Sequence, residues 1–151
     1  MLKVGIVLVA LGSSSAMAEK DPCGAAALKL GTAKLVATPY KAPDKCTYKG
    51  ASEATITSDA DAKAAFGCDG KALGVDWKQA ALVARLVSFS PAQTGFLTFD
   101  DGKRVTFVSR FRTPCPKDPR PMPGPSTPFI VKILAGARTF GHASCTVASK
   151  C

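Results

Sequence analysis

"FLTFDDGKRVTFVSRFR", Phe96–Arg112, decides the fold class. Two runs of alternating residues flank Asp100-Asp101-Gly102-Lys103, and the glycine sits where a tight turn needs a positive φ. This is the pattern of an antiparallel hairpin. Side chains alternate along a strand. Val105, Phe107 and Phe111 therefore share one face, and Arg104, Arg110 and Arg112 share the other.

The strand preceding the hairpin is more apolar still. "QAALVARLVSF" (Gln79–Phe89) is apolar on both alternating sets, Leu82, Ala84 and Leu86 against Val83, Val87 and Phe89. A strand of that kind is buried on two faces. Beyond the hairpin, "FIVKILAG" places Phe129, Val131 and Ile133 on one face and Lys132 on the other. "RTFGHASCTVASKC" then reads as a last strand tied down by cysteines. "KLVATPY" (Lys34–Tyr40) reads as a strand stopped by Pro39 and Pro43, and Glu53–Thr57 as a short β-branched one. A helical turn fits Ala25–Leu30. "DADAKAAF" is a two-turn helix, with Ser58 as N-cap, Asp59 and Asp61 in the first turn and Gly67 as its stop. Its apolar stripe is Ala62, Ala65 and Phe66. The expected fold is mainly β, a β-sandwich or rolled antiparallel sheet with one short helix, because each sheet must bury a face.

Residues 1–18 read as a signal peptide. Lys3 supplies the positive start, "VGIVLVAL" the apolar run, and Ala16-Met17-Ala18 the small-x-small cleavage pattern. That run is far shorter than the roughly 20 residues of a membrane span, so no membrane span is expected. The expectation is a single secreted or periplasmic domain over 19–151. All six cysteines, Cys23, Cys46, Cys68, Cys115, Cys145 and Cys151, lie in it. In an exported chain an even count implies disulfides. The reading pairs Cys23 with Cys46 and leaves the other four unassigned.

Little in the sequence points to chemistry. His142 is the one histidine, so any Ser/His/Asp or Cys/His arrangement must use it. Neighbouring Cys145 is expected to be oxidised and therefore not a nucleophile. There is no Cys-x-x-Cys pair for a metal. Asp100-Asp101-Gly102 is too short for a calcium loop of about 12 residues. "GCDGKALG" lacks phosphate-loop spacing. The expectation is no catalytic residue, no metal and no cofactor.

Surface recognition is the stronger theme. The net charge is +9, which suits anionic partners; nucleic acid is not expected in an exported setting. The candidate contacts are Trp77, the basic stripe Arg104, Arg110 and Arg112, and Lys117, Arg120 and Met122. Lys132 joins the stripe if its strand pairs alongside. Lys117, Arg120 and Met122 lie in "RTPCPKDPRPMPGPSTPF", residues 112–129, which holds seven of the eleven prolines. Such a loop is stiff and loses little entropy on docking. Asp76, beside Trp77, is placed to cap a turn or to pair with an arginine.

These residues also resemble a family. Asp76-Trp77 ahead of the apolar strand, Thr94-Gly95-Phe96, and Thr127-Pro128-Phe129 leading into a strand are similar to motifs in the C-terminal domain of PrcB-type protease-complex subunits. "ITSDADAKAAF" matches that family's short helix. The likeness covers about residues 54–135. The second motif here lacks a Gly and has Phe for Tyr, the third lacks a residue, and the six cysteines lie outside the pattern. The resemblance implies an exported, β-rich, non-catalytic module that binds and supports or restrains a protease. The alternative reading is a basic envelope protein attracted to anionic polymers or surfaces.

Overall fold

The computed structural model describes residues 21–36, 39–88, 90, 92–118 and 124–151; the expected signal segment and Phe89 lie outside them. Seven strands and two helices follow in the order β1 (Lys34–Leu35), β2 (Glu53–Ile56), α1 (Asp59–Phe66), α2 (Gly70–Leu73), β3 (Ala80–Val87), β4 (Gln93–Asp100), β5 (Arg104–Arg112), β6 (Thr127–Leu134) and β7 (Thr139–Val147). They form two sheets, ordered β1-β4-β5-β7 and β2-β3-β6. The mainly β expectation holds.

Local sequence signals explain most elements. The β4–β5 hairpin pairs Asp100 with Val105, and Gly102 adopts φ 90° in its turn. In α1 the Ser58 hydroxyl accepts from the Asp61 N–H, and Gly67 ends the helix in the left-handed conformation. Ala62, Ala65 and Phe66 are its buried residues, as the stripe predicts. The second short helix, α2, adds to the one expected. Asp69 caps it, accepting from the Ala72 N–H.

The sheets pack through Ala81, Val83, Val105, Phe107, Val131 and Ile133. The opposite face of β3 supplies Leu82 and Ala84 to a second core with Ile56, Phe66, Leu73 and Tyr48 beneath the helices. β3 is thus buried on both sides, the reason for its two apolar sets. A third cluster joins Cys23, Phe99, Val108 and Cys145, with Leu28 and Leu30 packed against it. Here the N-terminal turns cover the outer face of the first sheet.

Two expectations are corrected. The disulfides are Cys23–Cys145, Cys46–Cys68 and Cys115–Cys151, so Cys23 does not pair with Cys46. Cys23 belongs to the cover over the first sheet and meets β7 there, whereas Cys46 belongs to the helix-side core. The sheets are mainly antiparallel, as expected, with one parallel pair, β5 and β7, in the first sheet. The proline loop carries the chain from β5 to β6 in the other sheet, and the chain then returns to lie beside β5. Finally, Lys34–Tyr40 is not one strand. Lys34 and Leu35 pair with β4, while Pro39 bridges to Val131 of β6. The segment crosses from one sheet to the other along the sandwich edge.

Candidate functional site

Beside that crossing lies a groove of about 810 Å³, in the size range of small-molecule and short-peptide sites. β1 supplies Lys34 and Leu35, β6 supplies Lys132 and Leu134, and the β4–β5 turn supplies Asp100 and Asp101. Leu134 is 78% exposed and Leu35 51%, and these are the exposed large hydrophobic residues among those described. By register Leu35 shares the face of Phe99, under the N-terminal cover, whereas Leu134 shares the face of Ile130, on the helix side, so the two leucines lie on opposite outer faces of the sandwich.

The floor of the groove is held by an ion pair. Arg138, whose side chain is 4% exposed, donates from Nε to Asp100 Oδ1 at 2.8 Å and from Nη2 to Oδ2 at 3.2 Å. Arg138 also donates to the Leu134 carbonyl, which fixes the end of β6. Asp100 accepts from the Gly102 N–H as well. The Asp101 carboxylate accepts from the Lys103 and Arg104 N–H groups. Those two hydrogen bonds, Arg104 first, hold its pKa below the usual carboxylate range. Both acids of the groove are therefore already engaged, Asp100 by Arg138 and Gly102 and Asp101 by the turn N–H groups. Lys34 and Lys132 are exposed, and neither has a carboxylate partner within 4.0 Å among the described residues.

The residues singled out by sequence are not brought together. Trp77 is partly buried against the helix-side core. Its indole donates to Asp59 Oδ1 at 2.7 Å, and the same oxygen accepts from the Gly70 N–H. A Cβ on Gly70 would come within 2.4 Å of the indole nitrogen. Trp77 thus staples α1 to α2. Asp76 caps a turn, accepting from the Lys78 N–H.

The arginine stripe is not an open face. Between its ends, Thr106 and Val108 are buried, because the segment that carries Cys23 covers this side of the sheet. Arg104 lies across Gly141 of β7, and Arg110 is exposed. Arg112 is engaged: its guanidinium binds Asp118 at 2.7 Å, and Asp118 also accepts from the Cys115 N–H. That contact raises the pKa of Arg112. With Cys115–Cys151 it pins the base of the proline loop. Lys117 is exposed, whereas Arg120 and Met122 lie outside the described residues. Lys132 does not join the stripe, because β6 belongs to the other sheet and pairs with β3.

His142 sits at the opposite sandwich edge. Its ring stacks on Phe107, and Nε2 contacts Glu53 Oε1. Arg85 approaches the same carboxylate at 3.7 Å and lies over the Phe107 ring. Glu53 thus links β2, β3 and β7 across the two sheets. No serine, threonine or cysteine among the described residues hydrogen-bonds to His142, and every cysteine is bridged. No cluster of three or more metal-ligating side chains occurs among the described residues. No helix among them is long and apolar enough to cross a membrane. Comparison with family models, with curated proteins and with solved structures returned no match to this chain.

Four carboxylates couple this architecture to pH. Asp59 is lowered chiefly by the Gly70 N–H and then by Trp77. The Thr57 N–H lowers Asp61, and Arg112 lowers Asp118, with Asp101 as above. A carboxylate with a depressed folded pKa stabilises the fold above its unfolded value, about 3.9. That stabilisation disappears as pH falls through the folded value. Stability is therefore expected to drop as pH is lowered below about 4. Acid titration followed by near-ultraviolet circular dichroism should show it, and Asp59→Asn should lose less on acidification than the wild type.

Sequence reasoning misses the groove because neither leucine signals it locally. Leu134 follows Lys132 on the set of β6 that Ile133 does not occupy. An apolar residue at that parity, at the end of a strand, is the available clue.

Proposed function

We propose that this chain is an exported, disulfide-bonded, non-catalytic binding module that contacts a protein partner through the Lys34–Leu134 groove. Leu134, 78% exposed at the end of β6 beside the groove, carries this reading. Export rests on the signal-like residues 1–18, and three bridges are at home in an oxidising compartment. The PrcB-type resemblance suggests a protease as the partner, supported or restrained without chemistry by this chain.

The groove reading is tested by affinity capture from the native extracellular or envelope fraction. Leu35→Ser/Leu134→Ser is expected to lose the partner, while Arg104→Glu/Arg110→Glu retains it. Recovery unchanged by the leucine substitutions would remove the groove as the contact.

A second reading is favoured by the net charge of +9 and by Arg104, Arg110 and Lys117, which are exposed and have no carboxylate partner among the described residues. In it the protein is a basic envelope component held on anionic polymers. Exposed charges are screened beyond about 8 Å at physiological ionic strength and about 3 Å at 1 M salt. Polymer binding would vanish across that range, whereas a shaped apolar contact would survive it.

A further inference from the structure

The three disulfides differ in what surrounds the sulfur that leaves when a bridge is opened. In thiol–disulfide exchange an external thiolate attacks one sulfur and expels the other as a thiolate. The reaction is faster when the attacked sulfur is accessible and the expelled one is stabilised. Cys23 and Cys145 are both buried, in the cluster under the N-terminal cover. Cys46–Cys68 can be approached at the half-buried Cys68. That attack would expel Cys46, 2% exposed in the helix-side core, where an anion loses its hydration. The polar neighbours of these two bridges are backbone carbonyls, that of Ser109 at 3.9 Å from Cys145 Sγ and that of Lys45 at 4.0 Å from Cys68 Sγ. Neither carbonyl would stabilise a thiolate.

Cys115–Cys151 is built differently. Cys151 is exposed and Cys115 half-buried. Arg112 Nη1 donates towards Cys115 Sγ at 3.7 Å. Arg112 Nη2 donates to Asp118 at 2.7 Å, and Asp118 also accepts from the Cys115 N–H, so the guanidinium is fixed beside the sulfur. Asp118 offsets part of that charge, but Nη1 keeps an N–H aimed at the sulfur where negative charge would develop. Ser149 Oγ lies 3.8 Å from Cys115 Sγ and 3.9 Å from Cys151 Sγ, yet it donates its proton to the Thr113 carbonyl. Arg112 is therefore the group placed to stabilise a departing Cys115.

We infer that Cys115–Cys151 is an exchange-active disulfide, opened by an external thiol that attacks Cys151. The incoming thiolate forms an S–S bond with Cys151. The Cys115–Cys151 bond breaks with its electron pair going to Cys115, whose thiolate stays beside Arg112. A second thiolate then attacks the sulfur of the first, forms a disulfide with it and releases Cys151, which takes a proton from water. Two external thiols are oxidised and one bridge is reduced. The co-reactant is a thiol, supplied by a small molecule or by the dithiol of a protein. The other two bridges and the three cores remain, so the step removes only the covalent tie at the base of the proline loop.

The test exposes the full-length oxidised protein to reduced glutathione and, separately, to thioredoxin as a dithiol protein. Acid quenching, alkylation and peptide mass mapping then follow each sulfur. Cys115 and Cys151 are expected to react about tenfold or more faster than the other four cysteines. The glutathione adduct is expected on Cys151 and the free thiol on Cys115, with circular dichroism unchanged in the product. Arg112→Gln is expected to slow the opening several-fold, whereas Asp118→Asn, which loosens the same loop base, does not. Were Arg112 only a structural pin, its loss would ease access and speed the reaction. Faster opening by thioredoxin at equal thiol concentration would assign the bridge to a protein dithiol, and faster opening by glutathione to small thiols. Equal rates at all three bridges, first opening at Cys68, an adduct on Cys115, or an Arg112→Gln rate at or above the wild type would each overturn the inference.

Discussion

Replacing Cys23 and Cys145 together by serine is expected to lower the unfolding free energy by about 3–5 kcal/mol. The bridge closes the longest loop in the chain, a sequence separation of 122, against 22 for Cys46–Cys68 and 36 for Cys115–Cys151. In the chain-entropy description the stabilisation grows with the logarithm of loop length, reaching about 4.7 kcal/mol near 100 residues. Packing adds to the asymmetry. Cys23 anchors the turns whose Leu28 and Leu30 pack against the cluster of Phe99 and Val108. Without the bridge this cover is held by its own turn hydrogen bonds and apolar contacts alone. Denaturant titration should show the loss directly, and the melting temperature should fall by roughly 10 °C or more. The same exchange at Cys46 and Cys68 is expected to have the smaller effect. A change below about 1 kcal/mol for the Cys23–Cys145 pair would mean that the N-terminal cover contributes little to the fold.

Phe107→Ala is the single substitution expected to destabilise most, by about 3–5 kcal/mol. Phe107 is fully buried at the centre of the inter-sheet core. Its ring meets Phe140 at 6.1 Å, stacks on His142, and carries the Arg85 guanidinium at 5.5 Å. Truncation removes the transfer free energy of the ring and leaves a cavity between two sheets that are each paired internally and cannot easily collapse. It also removes the surface on which Arg85 and His142 rest beside Glu53. Phe107→Leu keeps most of the volume and should cost less, about 1.5 kcal/mol. Equal effects of the two substitutions would show that volume at this position is not what holds the sheets together.

Elements written in contiguous residues are legible in the sequence itself. The Asp100–Lys103 turn, the Ser58 cap, the Gly67 stop and the double apolar set of β3 each depend on side chains a few positions apart. The entry of Thr127-Pro128-Phe129 into a strand is legible for the same reason. What is not legible depends on which strands become neighbours. Parity puts Arg104, Arg110 and Arg112 on one face correctly, but it cannot say that residues around Cys23 cover that face. It places Lys132 opposite Val131, yet the sheet to which β6 belongs decides that Lys132 reaches the groove and not the arginines. The disulfides follow the same rule, since Cys23 meets Cys145 only once β7 lies parallel to β5. The groove gathers residues from the N-terminal crossing, the hairpin turn and β6, and no local pattern records that meeting.

The two ends of the proline loop are placed by the fold. Its base is fixed by Cys115–Cys151 and by Arg112–Asp118, and its far end becomes β6. Its prolines restrict the unfolded chain, while β6 is positioned by its pairing with β3. Lys117 remains exposed on it and does not line the groove.

Site-specific photo-cross-linking in the native host decides where the partner touches. A benzophenone side chain is placed in turn at Leu134, Arg110 and Lys117, and adducts are resolved by mass. The binding module described here predicts a discrete protein adduct from position 134, absent from 110 and 117. An adduct from 110 or 117 with none from 134 would contradict it and return the contact to the arginine stripe or the proline loop.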